Sequence, residues 1–181
     1  MDIESLKYIF IELVEKYGLL GIFIIGFSEP IFQPFPTEIF MIAGISIGLD
    51  WRYIFISALS GSLLGSTVTY YLSSRYGERL ALKLFKEEDY RKGEEFFRKY
   101  GILGFIVISF TPIPFEIMCW ICGTFEMPFD RYILAVFLSR VIKHSIFVLP
   151  FALWGADIGS CWEYYKFKEV ISCVWQYPVR L

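Results

Sequence analysis

Three carboxylates sit inside apolar stretches of this chain: Glu29, Glu38 and Glu116. Even on gentle scales a charge at the centre of a bilayer costs about 2.5–3.5 kcal/mol, so such acids are usually paired or functional. Burial favours the neutral carboxyl, which suits reversible protonation. Two uses follow: proton coupling or contact with a polar headgroup, or a salt bridge that only ties two segments together. Arg140 and Lys143 are the natural partners, one helical turn apart, with His144 beside them. The planar fork of arginine matches phosphate or carboxylate. Lys143 suits either an anionic ligand or an acid, or snorkels to the interface. His144 is the single histidine and reads as a polar helix-end residue, with no second histidine to build a metal site. Cys119-Trp120-Ile121-Cys122 has the spacing of thiol–disulfide exchange, but cysteines are also small apolar packers. No nucleotide loop, zinc motif or hydrolase elbow accompanies these groups, so neither a cofactor nor a catalytic residue is expected.

The elements that carry these residues are those of an integral membrane protein. The 181 residues are 56% hydrophobic and 20% aromatic, with a mean hydropathy of +0.52. Soluble domains sit near 45–50% apolar. Charge is dense in residues 75–99 and nearly absent from the long stretches on either side. A net charge of −2 offers no basic field to a nucleic acid. The four cysteines, all in the second half, are too few and too clustered for a secreted disulfide scaffold. Asp2 and Glu4 argue against a cleaved signal peptide.

Hydrophobic spacing predicts an amphipathic helix over residues 3–16, lying on the membrane surface or packed on the protein. Residues 17–49 are apolar but broken by Glu29-Pro30 and by Pro34-Phe35-Pro36-Thr37-Glu38. Two prolines one residue apart cannot both continue a helix. Each arm beside the break reaches roughly 20 Å, short of a ~30 Å hydrocarbon core, which predicts a re-entrant hairpin. Residues 53–74 read as a spanning helix, in which Gly61-x-x-x-Gly65 is a close-packing pattern. The polar, helical connector over 75–99 carries eight Lys/Arg and six acids, which makes it the best candidate for the cytoplasmic side. Residues 100–127 repeat the hairpin, broken at Pro112-Ile113-Pro114-Phe115-Glu116. Residues 131–156 form a second span, and 157–181 an interfacial tail.

The two halves align. Tyr17-Gly18-Leu19-Leu20-Gly21 matches Tyr100-Gly101-Ile102-Leu103-Gly104, and Pro34-Phe35-Pro36-Thr37-Glu38 matches Pro112-Ile113-Pro114-Phe115-Glu116. Gly44 matches Gly123, and Arg52-Tyr53-Ile54 matches Arg131-Tyr132-Ile133. Repeat 1 covers 17–74 and repeat 2 covers 100–156 of a single membrane domain. One hairpin plus one crossing per repeat requires the second copy to insert upside down, the architecture of secondary transporters; hairpins of two full spans would also invert it, whereas hairpins of one full span would make the repeats parallel. The expected fold is therefore all-α: an inverted repeat of re-entrant hairpin and transmembrane helix, after an N-terminal amphipathic helix.

These doubled, proline-broken acidic hairpins, with Gly61-x-x-x-Gly65 followed by Tyr70-Tyr71-Leu72-Ser73-Ser74-Arg75-Tyr76-Gly77, resemble the DedA / SNARE-associated (VTT-domain) superfamily over roughly residues 17–157, and in particular its YqaA-like branch. Three positions depart from that pattern. Ser66 stands where many members carry an acid, Ser74 replaces a glycine, and Glu116 follows Pro114 where paired arginines are usual. The resemblance implies scrambling of phospholipids or recycling of polyprenyl phosphate carriers, often proton-driven, by a multi-pass protein of the cell membrane. On that reading Glu29, Glu38, Glu116, Arg140 and Lys143 bind or couple, Pro34, Pro36, Pro112 and Pro114 break the hairpins, and the partners are membrane lipids and protons. Self-association into a homo-oligomer is compatible with it. Three alternatives stand beside it: an ion or small-solute transporter on the same scaffold, a membrane thiol oxidoreductase using Cys119 and Cys122, and a membrane scaffold whose buried charges are structural.

Overall fold

Proline and glycine decide where this chain stops being helical. In the computed structural model, which describes residue 9 and residues 12–33, 35–108 and 115–162, all regular elements are helices. Side chains are described for these residues except 102, 106, 108 and 151–162. A short helix α1 covers residues 12–17; most of the expected 3–16 helix lies outside the described residues. Helices α2 (Leu19–Ser28) and α3 (Thr37–Ser46) flank the first break, and α4 runs over Trp51–Leu84. Then come α5 (Glu87–Tyr100), a 3-10 turn (Gly101–Leu103), α6 (Gly104–Ile108), α7 (Phe115–Thr124) and α8 (Phe129–Trp162).

Local signals account for the ends. Pro36 is extended (φ −67°, ψ 130°) immediately before α3, where a fixed φ and a missing N–H do no harm. The Asp50 carboxylate accepts from the Arg52 N–H at 2.8 Å and caps α4. Gly77, at φ 60° and ψ −156°, breaks α4 with a backbone that side-chain-bearing residues avoid. Helix α5 begins with Glu87, Glu88 and Asp89 and ends with Arg98 and Lys99, the order the helix dipole favours.

Two pairs of helices from the halves that match in sequence are equal in length. Helices α3 and α7 are each 10 residues long, and α4 and α8 are each 34. Gly18 and Gly101 adopt nearly the same backbone, φ 55° with ψ −121° and φ 55° with ψ −134°. Helix α8 continues to Trp162, beyond the end expected for the second span.

Close approach organises the first half. Ser57 Oγ donates to the Leu19 carbonyl at 2.6 Å, and Thr69 Oγ1 to that of Pro30 at 3.0 Å. Between them, a Cβ on Gly61 or Gly65 would collide with the carbonyl oxygens of Phe23 and Phe27. Contact numbers rise together on both elements, so α2 runs parallel to α4 with its backbone pressed on a row of small residues. Helices α4 and α8 run antiparallel. Phe55 meets His144 at one end, while the Tyr132 hydroxyl donates to the Ser66 carbonyl at 2.9 Å and its ring lies beside Tyr70 at the other.

Among the described residues one stretch, Phe129–Pro150, is long and apolar enough to cross a membrane; the helices Leu19–Ser28, Thr37–Ser46 and Phe115–Thr124 are apolar but shorter. At ~1.5 Å per residue, ten residues give about 15 Å. Helix α4 has the length, but serines and threonines dilute its hydropathy. Several of their hydroxyls are satisfied within the helix, as in Thr67 to Leu63 at 2.8 Å and Ser73 to Tyr70 at 3.0 Å. The connector helix α5 lies on α7, with Gly93 against Ile117 and Ile121 and Tyr90 buried beside Trp120.

Candidate functional site

The first break of the chain is a turn held by its own side chains. Ser28 Oγ bonds the Gln33 side chain, whose Nε2 donates to the Phe35 carbonyl at 3.0 Å. Thr37, the first residue of α3, donates its hydroxyl to Glu29 across the turn. Ser28, Glu29, Gln33, Thr37 and Glu38 are all buried. The hairpin therefore carries two carboxylates inward, one at the end of α2 and one in the first turn of α3.

Helix α8 answers them. Arg140 Nη1 lies 2.9 Å from Glu29 Oε1. Lys143 Nζ lies 3.3 Å from Glu38 Oε2, and His144 Nδ1 lies 2.9 Å from Glu38 Oε1. Arg140 and His144 are 0% exposed, so these contacts sit where water does not screen them. Phe115, first residue of α7, places its ring 3.8 Å from the Arg140 guanidinium carbon. A cation stacked on an aromatic face keeps its in-plane N–H groups available for other partners. Arg140 Nε and Nη2 and His144 Nε2 are buried with no hydrogen-bond partner among the described residues. Glu116, one residue after Phe115, is buried and within electrostatic reach of Glu29, Arg140 and Lys143.

The structure thus gathers Glu29, Glu38, Glu116, Arg140 and Lys143 into one buried cluster. Pro36 stands at the start of α3; Pro34, Pro112 and Pro114 lie outside the described residues. Three participants were not singled out by sequence. His144, read as a helix-end residue, is wholly buried against Glu38; its position four residues after Arg140 puts both on one face of α8. Thr37 and Phe115 occupy equivalent places in the two proline motifs, yet only contacts across the fold reveal what each touches. Cys119 and Cys122 are free and fully buried, packed in a cluster with Phe105, Tyr132 and Val136. That is the setting of structural rather than reactive cysteines. No group of three or more metal-ligating side chains occurs among the described residues.

Chemically, the cluster can exchange partners. Three acids face an arginine, a lysine and a histidine, and the Nε–Nη2 edge of Arg140, unpartnered among the described residues, is the part of a guanidinium that donates two parallel hydrogen bonds to an oxyanion.

Comparison with known proteins places the chain in a wider group. The VTT domain matches residues 35–153. The chain is similar to an uncharacterised protein of Methanocaldococcus jannaschii, 56% identical over 84% of this chain and 96% of that protein. It is also similar to the uncharacterised membrane protein YbfM of Bacillus subtilis, 23% identical over 76% of this chain and 90% of YbfM. A third relative is undecaprenyl phosphate transporter A of Staphylococcus aureus, 23% identical over 60% of each chain. No solved structure matches the chain at a significant level.

Proposed function

The chain is a membrane protein of the VTT-domain (DedA) family, and from that premise we propose that it moves the polar headgroup of a lipid, a phospholipid or a polyprenyl phosphate, across the cell membrane. The observation that carries this reading is the cluster in which α8 meets the first hairpin. Buried charges that only hold a fold together are expected to be fully paired. Here Arg140 spends one N–H on Glu29, while its Nε and Nη2 have no hydrogen-bond partner among the described residues.

In this mechanism the two hairpins, α2–α3 and α6–α7, are re-entrant, and α4 and α8 cross the bilayer in opposite directions as the spans of an inverted repeat. The antiparallel course of α4 and α8 and the short arms of the hairpins support that layout. A headgroup enters between the hairpins while its tails stay in lipid. Its oxyanion takes the free edge of Arg140, and Lys143 balances charge as Glu38 releases it. Protonation of Glu29, Glu38 or Glu116 offsets the incoming negative charge and biases the site between inward- and outward-open states. The protein acts as a carrier rather than a catalyst. A relative named as an undecaprenyl phosphate transporter favours a lipid-borne anion over a free inorganic ion.

The test is a dithionite-quenching assay on liposomes that contain fluorescent phospholipid and the purified protein. Wild-type protein should expose inner-leaflet label to the quencher, and Arg140→Ala or Glu38→Gln with Glu116→Gln should protect it. Unchanged scrambling in those variants would remove the cluster from the mechanism. Protection by the wild type as well would exclude general phospholipids, and the same vesicles loaded with polyprenyl phosphate would then decide the remaining class.

A further inference from the structure

Glu29 is presented to Arg140 by a turn, and turns are the softest backbone in a helical protein. Something outside the turn must hold it. From α4, Thr69 Oγ1 reaches the Pro30 carbonyl at 3.0 Å. From the second repeat, Trp120 of α7 donates its indole N–H to the Ile31 carbonyl at 3.1 Å, across 89 residues of sequence. Ile31 is two residues beyond Glu29. Trp120 is 1% exposed. A buried indole N–H needs an acceptor, and a turn carbonyl without a helical partner needs a donor.

The other side of Trp120 faces the connector. Its ring packs with Ala81, Tyr90, Ile117 and Ile121 and meets Phe85 edge-on. Its own carbonyl accepts from Thr124 Oγ1 at 2.9 Å. Trp120 therefore packs on Tyr90 of α5 with its ring and bonds the turn that carries Glu29 with its indole N–H.

The geometry points to Trp120 as a positioning residue: from the second repeat it sets the contact between Glu29 and Arg140, and couples that contact to the connector helix. This rests on the reading of the Glu29–Arg140 cluster as the transport site. Packing alone would need the ring and not the N–H. Trp120→Phe separates the two, because it keeps an aromatic ring and removes the donor.

Three measurements on the full-length protein decide it. The apparent melting temperature of Trp120→Phe should fall by only about 2–4 °C, as for one lost hydrogen bond. Headgroup movement should fall about tenfold, as for a small misplacement at a working site. In a Glu29→Gln background the same substitution should cause no further loss, because both changes act on one contact. Independently of transport, the infrared carboxylate band that disappears in Glu29→Gln should shift in Trp120→Phe. If Trp120→Phe misfolds, an unnatural benzothienylalanine at position 120, which replaces N–H by sulfur, gives the same comparison. An unshifted Glu29 band, or losses that simply add in the double variant, would overturn the assignment. A wild type that moves no lipid would refute the transport reading while the infrared band still decided the role of Trp120.

Discussion

Arg140 Nη1 lies 2.9 Å from Glu29 Oε1 although 111 residues separate them, and neither side chain is more than 4% exposed. Removing one partner of a buried ion pair leaves the other uncompensated and costs about 3–5 kcal/mol. Arg140→Ala should therefore destabilise the protein by that order, since Glu38 also feels the lost charge. Arg140→Met combined with Glu29→Gln should recover much of the loss. Denaturant unfolding in detergent measures both, and a double variant no more stable than Arg140→Ala would show that the pair is not the dominant contact.

The acids and cations of this cluster were legible because a charge in an apolar stretch has few explanations. Their pairing was not. Both carboxylates after the doubled prolines look equivalent in sequence, yet Glu38 meets Lys143 and His144 whereas Glu116 sits beside Arg140 without replacing Glu29. That choice is made by the turn that swings Glu29 inward, and its bond to Trp120 spans 89 residues. Gly61 and Gly65 could be read as packing glycines, and the α2 backbone does lie on them. The end of α4 was less legible. The chain stays helical past its polar boundary to Leu84, with only Gly77 marking the break. His144 was misjudged because its neighbour Lys143 looks interfacial, while the face it shares with Arg140 is buried.

The contact between α2 and α4 gives a second expectation. A Cβ at position 65 would strike the Phe27 carbonyl oxygen and come within 3.0 Å of the Pro30 ring. Alanine improves helix propensity over glycine by about 1 kcal/mol, whereas overpacking costs typically about 1–3 kcal/mol. The obstacle is backbone, which cannot turn aside, so the overpacking should win. Gly65→Ala should lower the melting midpoint, and Gly61→Ala should do the same through Phe23. A rise in either midpoint would mean that α2 can retreat from α4 at little cost.

A third concerns the end of α7. There Glu126 sits at φ 51°, while Met127 N bonds the Cys122 carbonyl at 3.0 Å in the manner of a left-handed helix stop. The matching stop after α3 uses Gly48 at φ 90°, with Leu49 N on the Gly44 carbonyl at 3.0 Å. A left-handed non-glycine residue costs about 1–2 kcal/mol. Glu126 is exposed, and the bonds of the helix stop are made by backbone atoms. Glu126→Gly should therefore stabilise the protein by about 1 kcal/mol, read as a higher unfolding midpoint. No gain would indicate that its carboxylate makes a compensating contact.

The connector provides a pH test outside the bilayer. Glu94 accepts from Arg98 and Arg91, each at 2.9 Å, and these bonds hold its carboxyl below the ordinary value of 4.5. A carboxyl depressed in the folded state stabilises that state at any pH above its unfolded value. The contribution is lost as pH falls through the lower, folded value. Helix α5 should thus keep its protection from neutral pH down to about pH 4.5 and lose part of it below. Amide exchange over residues 87–100, corrected for intrinsic rates, measures this. Glu94→Gln should raise exchange at pH 7 and have a smaller effect at pH 3, below the unfolded value, where the contribution of the charge is already diminishing. Because Arg91 and Arg98 are half-exposed or more, added salt should shrink the difference at pH 7. An effect of Glu94→Gln that persisted undiminished at pH 3 would assign the stabilisation to packing of the Glu94 stem rather than to its charge.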